Sequence, residues 1–139
     1  MSFDLAIWRR APTAKTAMIV EVYDVLGDGE HEHPAVGMFD AQEFVTAAGE
    51  MFGRLPESGE DPTQIYVADD AGEVASVSLW AWTGRTSAAV HVSGPFPWRR
   101  SAIGTLLPLV EARNLMLYDP HFQTVYNNRR QYPELRAER

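Results

Sequence analysis

Hydrophobic and polar positions alternate from the start of the chain. In SFDLAIW, Phe3, Leu5 and Ile7 fall on one side and Asp4, Ala6 and Trp8 on the other. A period of two predicts a half-buried strand. After Pro12 the period changes. Met18, Val22, Val25 and Leu26 recur at helical spacing, which predicts a helix over about 14–26, with Thr13 as N-cap and Gly27 and Gly29 ending it. Pro34 fits the first turn of a second helix, about 35–53, whose stripe is Ala41, Val45, Ala48 and Phe52 and whose stop is Gly53.

The acidic, turn-rich LPESGEDP at 55–62 predicts a surface loop. QIYVA and EVASVSLWAW then form a hairpin through DDAG, with Val77, Leu79 and Ala81 on one face and Ser76, Ser78, Trp80 and Trp82 on the other. AAVHV follows the turn TGRTS, its Val90 and Val92 facing away from His91. A third helix, roughly 98–112, buries Ile103, Leu106, Leu107 and Val110, and Pro108 should kink it. Two short strands, LMLY and QTVY, flank a turn at Asp119-Pro120. The order β-α-α-β-β-β-α-β-β reads as α+β, a mostly antiparallel sheet with three helices packed on it. One domain spans 1–128, followed by a polar, basic tail at 129–139.

A chain of 139 residues is long enough to bury a core without covalent staples. The absence of cysteine removes disulfides, thiolate metal sites and a cysteine nucleophile. No basic and apolar leader is visible, and no apolar run reaches the roughly 20 residues of a membrane helix, so a cytoplasmic, non-membrane protein is expected. Charge changes the picture more. Residues 1–73 carry 15 acidic and 4 basic side chains, a net of −11, whereas 74–139 carry 4 and 8, a net of +4. The acidic half disfavours nucleic acid and favours a basic protein partner.

Candidate chemistry concentrates in GDGEHEHP, residues 27–34. His31 and His33 with Glu30 or Glu32 are weak candidates for a metal site, which requires three or four converging ligands. The competing reading, an acidic inter-helix connector, needs no special geometry. Asp69-Asp70 precedes Ala71-Gly72 and reads as hairpin-turn chemistry before it reads as a cation site. Asp119 and His121 resemble half of an acid–base pair but lack a nucleophile elbow. Arg99, Arg100, Arg129 and Arg130 could bind an anion, but as isolated basic residues they read first as solvated surface cations. Trp80 and Trp82 leave two readings open, burial under a second layer or an exposed patch for a partner, and burial is the simpler one.

The segments SFDLAIW, HPAVGMFD and LLPLVEARNLMLYDP resemble a family of small, acidic bacterial proteins that begin with an SFDLAVW-like strand and end in an LVCYDPQ-like strand and turn. Asn114 stands where that family commonly has Gly, His121 where it commonly has Gln, and a CPW segment of the family is missing. Some members are encoded beside toxins, which implies an immunity role, and the resemblance brings no catalytic residues. The expectation is therefore a non-enzymatic protein-binding module without a cofactor, a cytoplasmic immunity protein neutralising a cognate toxin. Its docking surface would be Asp28, Glu30, Glu32, Glu57, Glu60 and Asp61, with Trp80 and Trp82. The alternatives are a metal-binding protein or hydrolase built on His31 and His33, and a homo-oligomeric structural protein.

Overall fold

The alternation in the first seven residues builds the strand that organises the molecule. β1 (Ser2–Trp8) lies inside the sheet, and Ala6, Ile7 and Trp8 are fully buried. The structure is a computed structural model; it describes residues 2–126 apart from 13, 28–31, 60–63 and 69–71. Among the described residues the remaining elements are α1 (Ile19–Gly27), α2 (Ala41–Met51), β2 (Gln64–Ala68), β3 (Val74–Thr83), β4 (Ala88–Pro95), α3 (Arg99–Ala112), β5 (Met116–Asp119) and β6 (Thr124–Tyr126). They form one α+β unit in the expected order. The sheet runs β2-β3-β4-β1-β5-β6, and every pairing is antiparallel. The expected tail at 129–139 and residues 69–71 of the DDAG turn lie outside the described residues.

The helices divide between the two faces. Phe3, Leu5, Ile7, Leu79, Val90 and Leu117 point to α2 and α3, meeting Phe44, Val45, Ala48, Ile103, Leu106 and Val110 in the main core. Ala6, Trp8, Ala89, Met116 and Tyr118 point the other way, onto Ile19, Val22 and Leu26 of α1. Each large apolar side chain so buried contributes roughly 1.5–3 kcal/mol. The cluster around α1 is centred on the β1-β5-β6 end of its face and reaches Ala89 of β4 and Trp82 of β3. The β2-β3 end has no helix over it among the described residues, and this asymmetry creates the surface discussed below.

Two helix starts differ from the sequence reading. Instead of a continuous helix from 14, a 3₁₀ turn at Thr16–Met18 leads into α1, which runs through Gly27. The expected cap Thr13 and the stop at Gly29 lie outside the described residues. The second helix begins at Ala41, not near 35. Its N-cap is Asp40, whose carboxylate accepts the Glu43 amide at 3.0 Å. Residues 33–37 are held elsewhere: the Val36 amide donates to the His33 carbonyl, the Gly37 amide to the Arg9 carbonyl, and the Ala88 amide to the Gly37 carbonyl. Backbone pairing with distant segments outcompetes the local helix there, and Pro34 sits in a turn instead.

The acidic segment after α2 does more than cross the surface. A 3₁₀ turn at Pro56–Ser58 covers the outer edge of β2. The Tyr66 amide donates to Ser58 Oγ at 2.7 Å, and the Tyr66 carbonyl accepts the Leu55 amide at 2.9 Å. An exposed strand edge invites pairing with other chains, and this cover blunts it. α3 continues through Pro108 as one helix. It ends in a Schellman motif: Leu115 N–H donates to Val110 C=O at 2.9 Å, Asn114 N–H to Glu111 C=O at 3.2 Å, and Asn114 takes φ 55°.

Candidate functional site

The charged connector is, in its described part, a clamp on the β3–β4 turn. The Glu32 carboxylate accepts the Thr86 hydroxyl, the Thr86 amide at 3.0 Å and the Arg85 amide. The Thr86 hydroxyl, followed by these amides, holds the Glu32 carboxyl below the usual glutamate range. Gly84 makes room for the clamp, since a Cβ there would collide with Glu32 and come within 2.6 Å of the Trp82 ring. Ser87, wholly buried, donates to the carbonyls of His33 and Val36 at 3.2 and 3.1 Å. The His33 ring is engaged within the chain too: Nδ1 accepts the Ala35 amide at 3.0 Å, and Nε2 lies 3.6 Å from Glu21 Oε2.

Of the acidic docking set read from the sequence, Glu32 is thus tied to the turn. Asp28, Glu30, Glu60 and Asp61 lie outside the described residues, as does the side chain of Glu57. His31 and the pair Asp69-Asp70 are outside them as well. Among the described residues, no group of three or more His, Asp or Glu side chains is placed to hold a metal ion.

The two tryptophans of the expected docking surface are described, and neither is fully buried. Trp80 is 61% exposed, so the burial reading of this face is corrected for that residue. Trp82 is half-buried against the second core cluster. The two differ in their neighbours. In the sheet register Trp82 pairs with the wholly buried Ala89 and its ring lies beside Gly84, where Glu32 also sits, whereas Trp80 pairs with the half-buried His91. Tyr66 on β2 and Val74 on β3 extend the open surface, and Val74 is 58% exposed. Ser76, Ser78 and Ser93 lie between them, half-buried.

An acidic border runs along the same face. Asp4 on β1 and Asp24 on α1 are exposed, and the Glu21 side chain is 66% exposed. Burial, then the negative field of Asp4, pushes the Tyr23 phenol up from its ordinary value. Sequence reasoning missed Tyr66, Asp4, Glu21 and Asp24. The signal for Tyr66 was its position between Ile65 and Val67, which face the core. That signal becomes useful only once β2 is known to lie beside β3.

At the far end of the sheet, Asp119 and His121 do not form a side-chain acid–base pair. The Asp119 carboxylate accepts the His121 backbone amide at 3.0 Å and the Arg99 guanidinium. The His121 ring packs edge-on against Phe96 and Phe122, with centroids 5.0 and 4.7 Å away. Arg99, read as a solvated cation, is instead drawn into the fold: it also donates to Tyr126 Oη at 3.0 Å and lies 4.2 Å from the Phe122 ring centre. This arrangement positions β5 against α3 and offers no proton relay.

The described surface therefore combines exposed aromatics with an acidic border. No family model matches the chain, and neither a curated protein nor a solved structure does.

Proposed function

We propose that this protein is a non-enzymatic binding module, an immunity protein that occupies a cognate toxin in the cytoplasm. The observation that carries the binding role is Trp80, 61% exposed on an open sheet face bordered by Asp4, Glu21 and Asp24. A tryptophan left in water on a sheet is a natural anchor for an interface, because its large apolar area is buried only when a partner arrives. The acidic border selects a basic partner and speeds its encounter. The toxin identity rests on the resemblance of the strand and turn segments to proteins encoded beside toxins.

A homo-oligomer through the same face is the weaker reading. A two-fold dimer places the same residues of both copies in one interface, so two acidic borders approach each other. The test is direct binding between this protein and a basic toxin encoded beside its gene. Trp80→Ser should leave the unfolding midpoint unchanged and weaken that binding roughly 30-fold, the scale of an interface anchor. Asp4→Lys with Asp24→Lys should slow association and flatten its dependence on salt. No basic neighbour product that binds, or a Trp80→Ser variant with unaltered affinity, overturns the reading.

A further inference from the structure

The outer side of α3 carries a second feature, unrelated to the Trp80 face. A cleft of about 300 Å³ runs along the helix, lined by Arg99, Arg100, Ile103, Gly104, Leu107 and Tyr126. That volume lies at the lower end of the range for small-ligand sites. Ile103 and Leu107 form an apolar floor, 4% and 6% exposed. Pro108 and Glu111 continue the lining toward the C-terminal end of the helix.

The cationic end is not balanced within the described fold. The charge of Arg99 is offset by Asp119. Arg100 is exposed, and its guanidinium makes no hydrogen bond or ion pair among the described residues. Both arginines occupy the first turn of α3, which has no acidic residue and no side-chain cap. The dipole of the helix is already positive there, so an added cation is unfavourable until an anion joins it.

The middle of the cleft shows a second uncompensated choice. Glycine inside a helix is destabilising relative to alanine. A Cβ on Gly104 would meet nothing within 4 Å, so packing does not demand the glycine. What the missing side chain preserves is the open space of the cleft. Pro108, four residues on, has no N–H, so the Gly104 carbonyl lacks its usual helical donor. Both helix-weakening residues of α3 therefore fall on the cleft.

We propose that this cleft binds a small amphipathic carboxylate, with the anion at Arg100 and an apolar chain lying over Gly104 between Ile103 and Leu107. Charge complementarity sets the head group, and the apolar floor sets the tail. Glu111 at the opposite end keeps the acid at the Arg100 end.

Amide-resolved NMR titration of the full chain tests this, with decanoate as probe and decanol and inorganic phosphate as comparators at constant ionic strength. Decanoate should shift the amides of residues 100–108 saturably, and both comparators should bind more weakly. Arg100→Gln should weaken decanoate binding about tenfold, the scale of one charge-assisted contact. Gly104→Leu should abolish binding while raising the unfolding midpoint, which separates a filled cleft from a damaged fold. Gly104→Ala should fall between the two. The proposal is overturned if decanoate gives no saturable shift, if shifts map to the Trp80 face, or if decanol or phosphate binds as tightly. Unchanged affinity in both Arg100→Gln and Gly104→Leu also overturns it.

Discussion

Asp119, the last residue of β5, lies fully buried and holds the guanidinium of Arg99, the first residue of α3. The pair is roofed by Phe122 and braced by Tyr126. Removing one member leaves the other charge in a poorly solvated site. Asp119→Ala should therefore lose about 3–5 kcal/mol in urea unfolding. The double variant Arg99→Met with Asp119→Leu should recover most of that loss. A double variant as unstable as Asp119→Ala would show that the pair's shape, and not its uncompensated charge, matters.

Glu43 and Arg113 make the contrasting pair. They join α2 to α3 at 2.7 Å in a bidentate contact, but the Glu43 side chain is 49% exposed. Water and salt screen such a pair, so Glu43→Ala should cost under about 1 kcal/mol, and less in high salt. The hydrogen bond from Arg113 lowers the Glu43 carboxyl and raises the guanidinium. A carboxyl lowered on folding adds stability above its unfolded value, and that increment fades as pH falls through the folded value. Unfolding curves of wild type and Glu43→Gln should accordingly converge in acid.

The Glu32 clamp has a local readout. Its lowered carboxyl means that the turn is best held above the usual glutamate range and loosens as pH falls below it. Hydrogen exchange at the Arg85 and Thr86 amides should accelerate on acidification beyond the intrinsic exchange trend. In Glu32→Ala that pH dependence should vanish, with both amides exchanging fast throughout.

Gly84→Ala tests the same turn from the other side. The new methyl group collides with Glu32 and the Trp82 ring, so it should destabilise by about 1–3 kcal/mol, the range for overpacking. The Trp82 fluorescence should change with it. A neutral Gly84→Ala would mean that the clamp relaxes freely.

At the end of α3, Asn114 adopts the left-handed conformation. Asn114→Ala should cost about 1 kcal/mol by thermal or chemical unfolding, because a β-carbon is strained there. Asn114→Gly should be more stable than Asn114→Ala, since glycine accepts φ 55° without that strain.

Much of the architecture was legible because local periodicity reports which side of an element is buried. The strand at 2–8, the 64–68 strand and the stripe Ile103, Leu106, Leu107 and Val110 all occur where the pattern predicts, although the first strand, read as half-buried, is covered on both faces from Leu5 to Trp8. The start of α2 was less legible. The Asp40-to-Glu43 cap was present in the sequence, but Pro34 offered an equally good local start. Pairing of residues 35–37 with Arg9, Ala11 and Ala88 decided between them, and those partners are remote in the chain.

The sequence by itself determined the α+β class, the rough element order and one buried face of most elements, because each depends on neighbours within a few positions. Tertiary structure decided the rest. Identical alternation in β3 puts Trp80 and Trp82 on one face, yet only Trp82 packs against the second core cluster, so one is half-buried and the other is in water. Arg99 and Arg100 are adjacent in the chain, yet only Arg99 reaches Asp119. Which layer covers which end of a sheet, and which charge meets which, depends on contacts that span tens of residues. Periodicity carries no record of those.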